Sequence, residues 1–236
     1  MITRSKEVIV GVDNAGSKPG WPEIAIGLAV LSILGIGGAL ALVRVGIDAS
    51  MLGLILSALS GVAGMAGFIA AFSLRIRTWH SFGVRTTTWR WLGVGALAGI
   101  GTFFVKSLSI LAYVAITGDH RAPQEIYAAG ASNGGWTLVA TTFCLSVVTP
   151  IGEEFLFRGV VTSALLRHGA LIGVVGGAIV FAVFHGANMV FPAALITGLV
   201  AGEVFRRSRS IWPSIMVHVA VNLPTIPVMV LVGTTT

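Results

Sequence analysis

The sequence predicts an all-α, polytopic membrane protein, and three observations lead there. Uninterrupted apolar runs recur along the chain, each near the roughly 20 residues that span a bilayer core. Hydrophobic residues make up 55% of the 236 positions and charged ones 10%, too few charges to solubilise a domain of this size. Glycine occurs 31 times, in keeping with its frequency in transmembrane helices.

Residues 1–20 read as a polar tail, carrying Arg4, Lys6, Gly16, Lys18 and Gly20. The run 24–43 is too long for the apolar core of a signal peptide and lacks a small-residue cleavage site, so it is expected to be retained as the first span. Further spans are expected at 51–74, 91–117, 136 to about 166, 170–187, 191–205 and 211–232. Pro213, Pro224 and Pro227 punctuate the last run, which is either one bent helix or two short pieces. The expectation is therefore a bundle of seven or eight helices in a single membrane domain. Its first helices lie in 21–135 and the rest in 136–236.

The net charge of +6 does not point to nucleic acid, because the basic residues sit between the apolar runs. If 136–166 crosses once, four clusters fall in alternate loops: Arg4/Lys6/Lys18, Arg75/Arg77/Arg85/Arg90, Arg167 and Arg206/Arg207/Arg209. The positive-inside rule then puts all of them, and the N-terminus, on the cytoplasmic side. Trp21, Trp79, Trp89, Trp91, Trp136 and Trp212 all stand at span edges, as an interfacial aromatic belt requires. The lone Cys144 excludes an intramolecular disulfide and any multi-cysteine metal site. Gly95/Gly99 and Gly198/Gly202 are spaced for close helix packing. The loop 118–135, with Pro123, Ile126 and Tyr127, is expected along the outer interface, without a chemical role.

Polar groups inside a bilayer are costly, so each one is a candidate for function. Here they are Lys106, Glu153, Glu154, Arg158, His185 and His218, with Asn222. Glu154 and Arg158, four apart on one helix face, are oriented as an ion pair. Glu153 points elsewhere and has no cation at a matching offset, which suits a general base. Pro150 removes a helical hydrogen bond to Ser146, and freed backbone in a membrane is tolerated beside protein or a water-filled cavity. Phe181 and His185 are four apart, as are His218 and Asn222, so each pair is expected on one helix face. From the basic boundary, helical rise puts Glu153 about 21 Å deep, His185 about 26 Å, His218 about 14 Å and Asn222 about 20 Å. With tilt and side-chain reach, these groups from three helices can meet at one level. Lys106 is expected to snorkel to the outer interface. Failing that, it faces the cavity, where it would meet a substrate carboxylate.

In order, Glu153-Glu154-x-x-x-Arg158, Phe181-x-x-x-His185 and His218-x-x-x-Asn222 resemble the signature of the CAAX protease and bacteriocin-processing (CPBP, or Abi) family, which includes Rce1-like prenyl-protein endopeptidases. Gly198-x-x-x-Gly202 also fits, and the resemblance covers about residues 136–225. It implies an intramembrane endopeptidase whose catalytic core is formed by 136–236, with a cavity open towards the cytoplasm and an active site of Glu153, His185, His218 and Asn222. Glu153 and His185 would activate water, His218 and Asn222 would stabilise the oxyanion or position that water, and Glu154 and Arg158, with Phe181 of the second motif, would support the site. The partners implied are membrane lipid and a membrane-associated peptide or protein, which for a CAAX-type substrate carries a prenylated cysteine. The expected location is a bacterial or archaeal plasma membrane.

Peptide hydrolysis needs a base, oxyanion donors and a proton for the leaving amine, and these side chains supply all three. A zinc version would use Glu153, His185 and His218 as ligands. No His-Glu-x-x-His occurs, and the metal-free reading, with no cofactor, is preferred. Two rival readings remain: a proton-coupled transporter or channel, against which the lack of visible repeat symmetry argues, and a catalytically silent immunity protein.

Overall fold

The computed structural model describes residues 18–120 and 123–233, so Arg4, Lys6 and Gly16 of the expected tail lie outside the described residues. Helix α1 (Trp21–Val45) begins with Pro22, and Glu23 accepts a 2.7 Å hydrogen bond from the Gly20 amide. Helix α2 (Ala49–Leu74) is capped by Asp48, which accepts from the amides of Ser50 and Met51. At its far end Arg75 binds Glu23 through contacts of 2.7 and 2.9 Å, tying α2 to the start of α1. Those bonds raise the Arg75 pKa above its ordinary value. Helix α3 (Trp89–Thr117) is capped by Thr88, and the short α4 (Glu125–Ala131) follows it. Then come α5 (Gly135–His168), α6 (Ile172–Val183), α7 (Val190–Ser208), α8 (Ile211–Asn222) and α9 (Thr225–Gly233).

Among the described residues, five helices are long and apolar enough to cross a membrane: α1, α2, α3, α5 and the α8–α9 unit Ile211–Leu231. The sequence suggested seven or eight spans. The difference lies in α6 and α7. Regular helix in α6 stops at Val183, and Gly186 then turns the chain at φ +82°, so α6 spans only about 18 Å. Helix α7 carries Glu203, Arg206 and Arg207 in its last turns. The final run is one span with a break at Leu223–Pro224, reconciling the two alternatives left by its prolines. The outer face of α3, with Leu97, Phe104, Leu108 and Leu111, is largely exposed, as a lipid-facing surface must be.

The basic clusters that can be followed meet at one end of the bundle. Arg167 lies 5.9 Å from the Trp21 ring, and Ser210 donates to the Arg85 carbonyl at 2.8 Å. Lys18, His80, Arg85, Arg206 and Arg209 surround one hollow there. The exposed rings of Trp21, Trp79, Trp89 and Trp212 stand at the same end, and Trp136 marks the opposite one. This is the alternation expected from the loops.

Glycines set the helix contacts that position the later residues. A Cβ on Gly152 would come within 1.7 Å of the Gly61 carbonyl oxygen, and one on Gly61 within 2.5 Å of Thr149 Cα. Helices α2 and α5 therefore touch backbone to backbone immediately before Glu153. Gly95 and Gly99 bring α3 equally close to α8, against the carbonyls of Pro213 and Val217. Gly198 meets Ala178 of α6, whereas Gly202 makes ordinary contacts. Phe68 fills the basic half of the bundle, packing on Phe82 and Phe155 with ring centroids 5.4 and 4.9 Å away.

Gly152→Ala is expected to cost about 3 kcal/mol or more, the upper end for overpacking, because its new neighbour is backbone. Thermal melting in detergent checks this. The midpoint should fall sharply, while Gly93→Ala, with nothing within 4 Å of the new Cβ, leaves it unchanged.

Candidate active site

Glu153, Glu154 and Arg158 lie on α5 between two tracts where the helix widens to i→i+5 bonding, Cys144–Val148 and Phe155–Thr162. Such widened turns often occur at functional sites. Here one has a traceable consequence. The Thr149 amide donates to Cys144, five residues back. In that register the next carbonyl, Leu145, faces Pro150, which has no N–H to give. Asn222 on α8 supplies the missing donor: its Nδ2 reaches the Leu145 oxygen at 3.2 Å. The carbonyl freed by Pro150 is thus Leu145 and not Ser146, because the α-helical register assumed for the sequence does not hold. The bond fixes the Asn222 amide, one of the expected site groups.

Glu154 is fully buried and shared between two partners. Its Oε2 stands 3.1 Å from Arg158 Nε, the ion pair expected from the spacing. Its Oε1 accepts from His218 Nδ1 at 3.0 Å, a contact the spacing could not reveal because it joins α5 to α8. With Nδ1 bound to Glu154, His218 presents Nε2, which lies 3.9 Å from Glu153 Oε2. That Glu153 oxygen has no hydrogen-bond partner among the described residues. Glu153 therefore stands as the free carboxylate beside an oriented imidazole.

Phe181 is the packing hub of this group. The Arg158 guanidinium lies over its ring at 4.6 Å, and the rings of His185 and His218 stand 4.5 and 5.6 Å away. His185 is not on the helix proper, as its spacing from Phe181 implied, but in the turn beyond Val183. Its Nδ1 lies 2.9 Å from the Phe181 carbonyl. A carbonyl only accepts, so Nδ1 is the donor in this contact and Nε2 is the ring nitrogen left for other partners. Asn188 holds the turn. Its Nδ2 donates to the His185 carbonyl at 2.9 Å and its Oδ1 accepts from the Val190 amide at 2.8 Å. No pattern in the sequence singled out Asn188, whose role is local to a turn that forms only where α6 ends.

Glu153, His185, His218 and Asn222 line one cavity of about 630 Å³. Its walls include Leu31, Ile36 and Leu40 of α1 and Leu56 and Leu59 of α2, and Ile36 and Leu40 are more than half exposed. The cavity is polar at the Glu–His group and apolar where it meets α1.

Two features depart from the sequence reading. The segment 118–135 does not merely lie along an interface: Gly53 and Gly130 bring α4 onto α2 backbone to backbone, and Gln124, Ile126 and Tyr127 line the cavity. Lys106 does not snorkel away; it also lines the cavity, donating to Thr225 Oγ1 at 3.0 Å. The cavity's lining residues come largely from the half of the bundle remote from the basic end, and aromatic side chains pack around Phe68 in the other half.

The zinc alternative needs its ligands gathered around one point. Among the described residues no three His, Cys, Asp or Glu side chains gather closely enough to hold a metal. Glu153, His185 and His218 share the cavity without forming such a set.

These features define the class: a polytopic helical membrane protein with a buried carboxylate–imidazole site on an internal cavity. Residues 135–224 match the family model described as type II CAAX prenyl endopeptidase Rce1-like. That span holds all three motifs, and the match agrees with the family their order resembles. No curated protein and no solved structure matches the chain.

Arg158 and Glu154 are each at most 1% exposed, so removing one leaves the other as an uncompensated buried charge. Arg158→Ala is expected to cost about 3–5 kcal/mol, the range for broken buried pairs. Size-exclusion and melting profiles in detergent should show loss of folded protein along with activity. A fully stable but inactive Arg158→Ala would instead put the guanidinium in the chemistry.

Proposed function

We propose that this protein is an intramembrane endopeptidase that hydrolyses a peptide bond of a membrane-associated protein or peptide with water activated by Glu153. The observation carrying this reading is the Glu153 oxygen that, among the described residues, makes no hydrogen bond and stands 3.9 Å from His218 Nε2, on a cavity that His185 and Asn222 also line. The match of residues 135–224 to a CAAX endopeptidase family supports the same reaction class.

In this reading Glu153 takes a proton from water as the water attacks the scissile carbonyl, and His185 Nε2 shares or relays it. His218, held through Nδ1 by Glu154, directs Nε2–H at the developing oxyanion, and the Asn222 amide donates beside it. The proton then returns to the leaving amine. Glu154 touches no reacting atom; it is a positioning residue acting through His218. The apolar wall at α1 and α2 suits a substrate that enters from the lipid, with a prenyl or acyl chain or an apolar segment. No metal takes part in this scheme.

Glu153→Gln preserves shape and should abolish cleavage with melting near that of the wild type. The check compares membrane-proteome termini from cells carrying either form, then cleavage of the identified substrate by purified protein. New termini should need Glu153, and purified wild-type activity should survive exhaustive chelation. Substantial peptidase activity in Glu153→Gln would remove Glu153 from the role of base. One zinc per chain, lost and regained together with activity, would replace the metal-free scheme.

A further inference from the structure

The hollow at the basic end of the bundle gathers more cations than nearby carboxylates balance. It has a volume of about 520 Å³, and Lys18, His80, Arg85, Arg206 and Arg209 surround it. Arg206 is paired with Glu203 at 2.7 Å, and Arg207, outside the hollow, binds the same carboxylate. Among the described residues no acidic side chain pairs with Lys18, Arg85 or Arg209. Arg85 Nε donates to the Arg209 carbonyl. Its Nη1 lies 3.1 Å from His80 Nε2, which accepts because a guanidinium offers only donors. Further N–H groups of the guanidinium stay unused. Desolvation and the neighbouring Arg209 charge hold the Arg85 pKa below its ordinary value. Like charges brought together in this way are relieved by an anion between them.

The backbone is bent to hold these cations in place. Arg209 ends α7 at φ +55°, the one non-glycine residue with positive φ among the described residues. Glycine or asparagine usually fills such a helix end, and an arginine there is strained. Strain of this kind persists where the surrounding structure, or a function, holds the residue. Gly83, at φ +73°, lets the loop that carries His80 and Arg85 pack on α7, since a Cβ there would come within 2.5 Å of the Phe205 ring. The Ile211 amide donates to the Gly83 carbonyl at 3.0 Å, and Ser210 Oγ to that of Arg85 at 2.8 Å. The hollow is therefore built where the α2–α3 loop meets the start of α8, the helix of His218. Its depth is marked by Trp79, next to His80, and by Trp212, near Arg209, which are 52% and 40% exposed. Tryptophans at span edges sit at headgroup level. Leu166 and Phe205 add an apolar wall. An anionic group attached to an apolar body fits all of these features.

We propose that this hollow binds a phosphate ester between Arg85 and Arg209, the headgroup of an anionic phospholipid being the source its depth favours, and so clamps the α2–α3 loop to the start of α8. The site is separate from the Glu153 cavity and stands whether or not the chain is a peptidase. The test follows thermal melting of purified, delipidated protein in non-ionic detergent. The probes are dioctanoyl phosphatidylglycerol, dioctanoyl phosphatidylcholine, glycerol 1-phosphate and inorganic phosphate. Phosphatidylglycerol should raise the midpoint saturably and less so at high salt. Arg209→Gly relieves the positive φ, so melting without lipid should hold or rise, while the affinity for phosphatidylglycerol falls about tenfold, as for loss of a charge-assisted hydrogen bond. Lys18→Gln, at the exposed rim, should lower the affinity in the same direction. Arg90→Gln removes an equal charge from the same end but outside the hollow and should leave the affinity unchanged. A response to phosphatidylglycerol alone supports the proposal with lipid as the source. An equal response to glycerol 1-phosphate or inorganic phosphate supports the site and makes its ligand a soluble phosphate. No saturable response to any phosphate compound overturns the proposal. So does an equal response to phosphatidylglycerol and phosphatidylcholine, or an affinity that neither Arg209→Gly nor Lys18→Gln lowers more than Arg90→Gln does.

Discussion

The Glu154 carboxylate is the constraint on which the rest of the site depends. It is fully buried and answers to two cations or donors on different elements, Arg158 one turn along α5 and His218 on α8. A carboxylate at that depth is tolerable only while both partners stay in place. Conversely, Arg158 and His218 are anchored by it, and Phe181 packs against both of them and against His185. Four motif residues thus form one unit around a single charge. Glu153, next in the chain but pointing elsewhere, is left free of it.

The backbone contact between α2 and α5 makes this arrangement repeatable. Gly61, Gly64 and Gly152 let the helices meet where a side chain would hold them apart, which sets the depth and rotation of Glu153 and Glu154. The widened turns around them add a second device. Changing the register from four residues to five leaves the Leu145 carbonyl without a donor at Pro150, and Asn222 takes it. The proline, the widened turn and the asparagine act together, linking α5 and α8 at the floor of the cavity.

Much of this was legible in the sequence. Apolar runs and tryptophans at their edges located the helices, and the spacing of Glu154 and Arg158 identified their pair. Depth estimates from opposite helix ends brought Glu153, His185, His218 and Asn222 to one level, and the chain places all four on one cavity. What escaped has a common physical origin: it depends on contacts between segments or on local departures from α-helical register. Glu154 binding His218 crosses 64 residues of sequence. His185 was read as helical because its spacing from Phe181 fits a helix, yet α6 ends first and the turn is held by Asn188. The positions of Lys106 and α4 follow from glycine contacts and a threonine hydroxyl that no periodic pattern marks.

The central claim is that water, made reactive by a free carboxylate, attacks the peptide bond directly. Single-turnover cleavage by purified protein in liposomes, run in ¹⁸O-labelled water and quenched before completion, tests it most directly. The account predicts one labelled oxygen in the new C-terminal carboxylate of every product, with the intact mass of the protein unchanged throughout. A peptidyl adduct on the protein, or unlabelled product in the first turnover, would show a covalent nucleophile and contradict it.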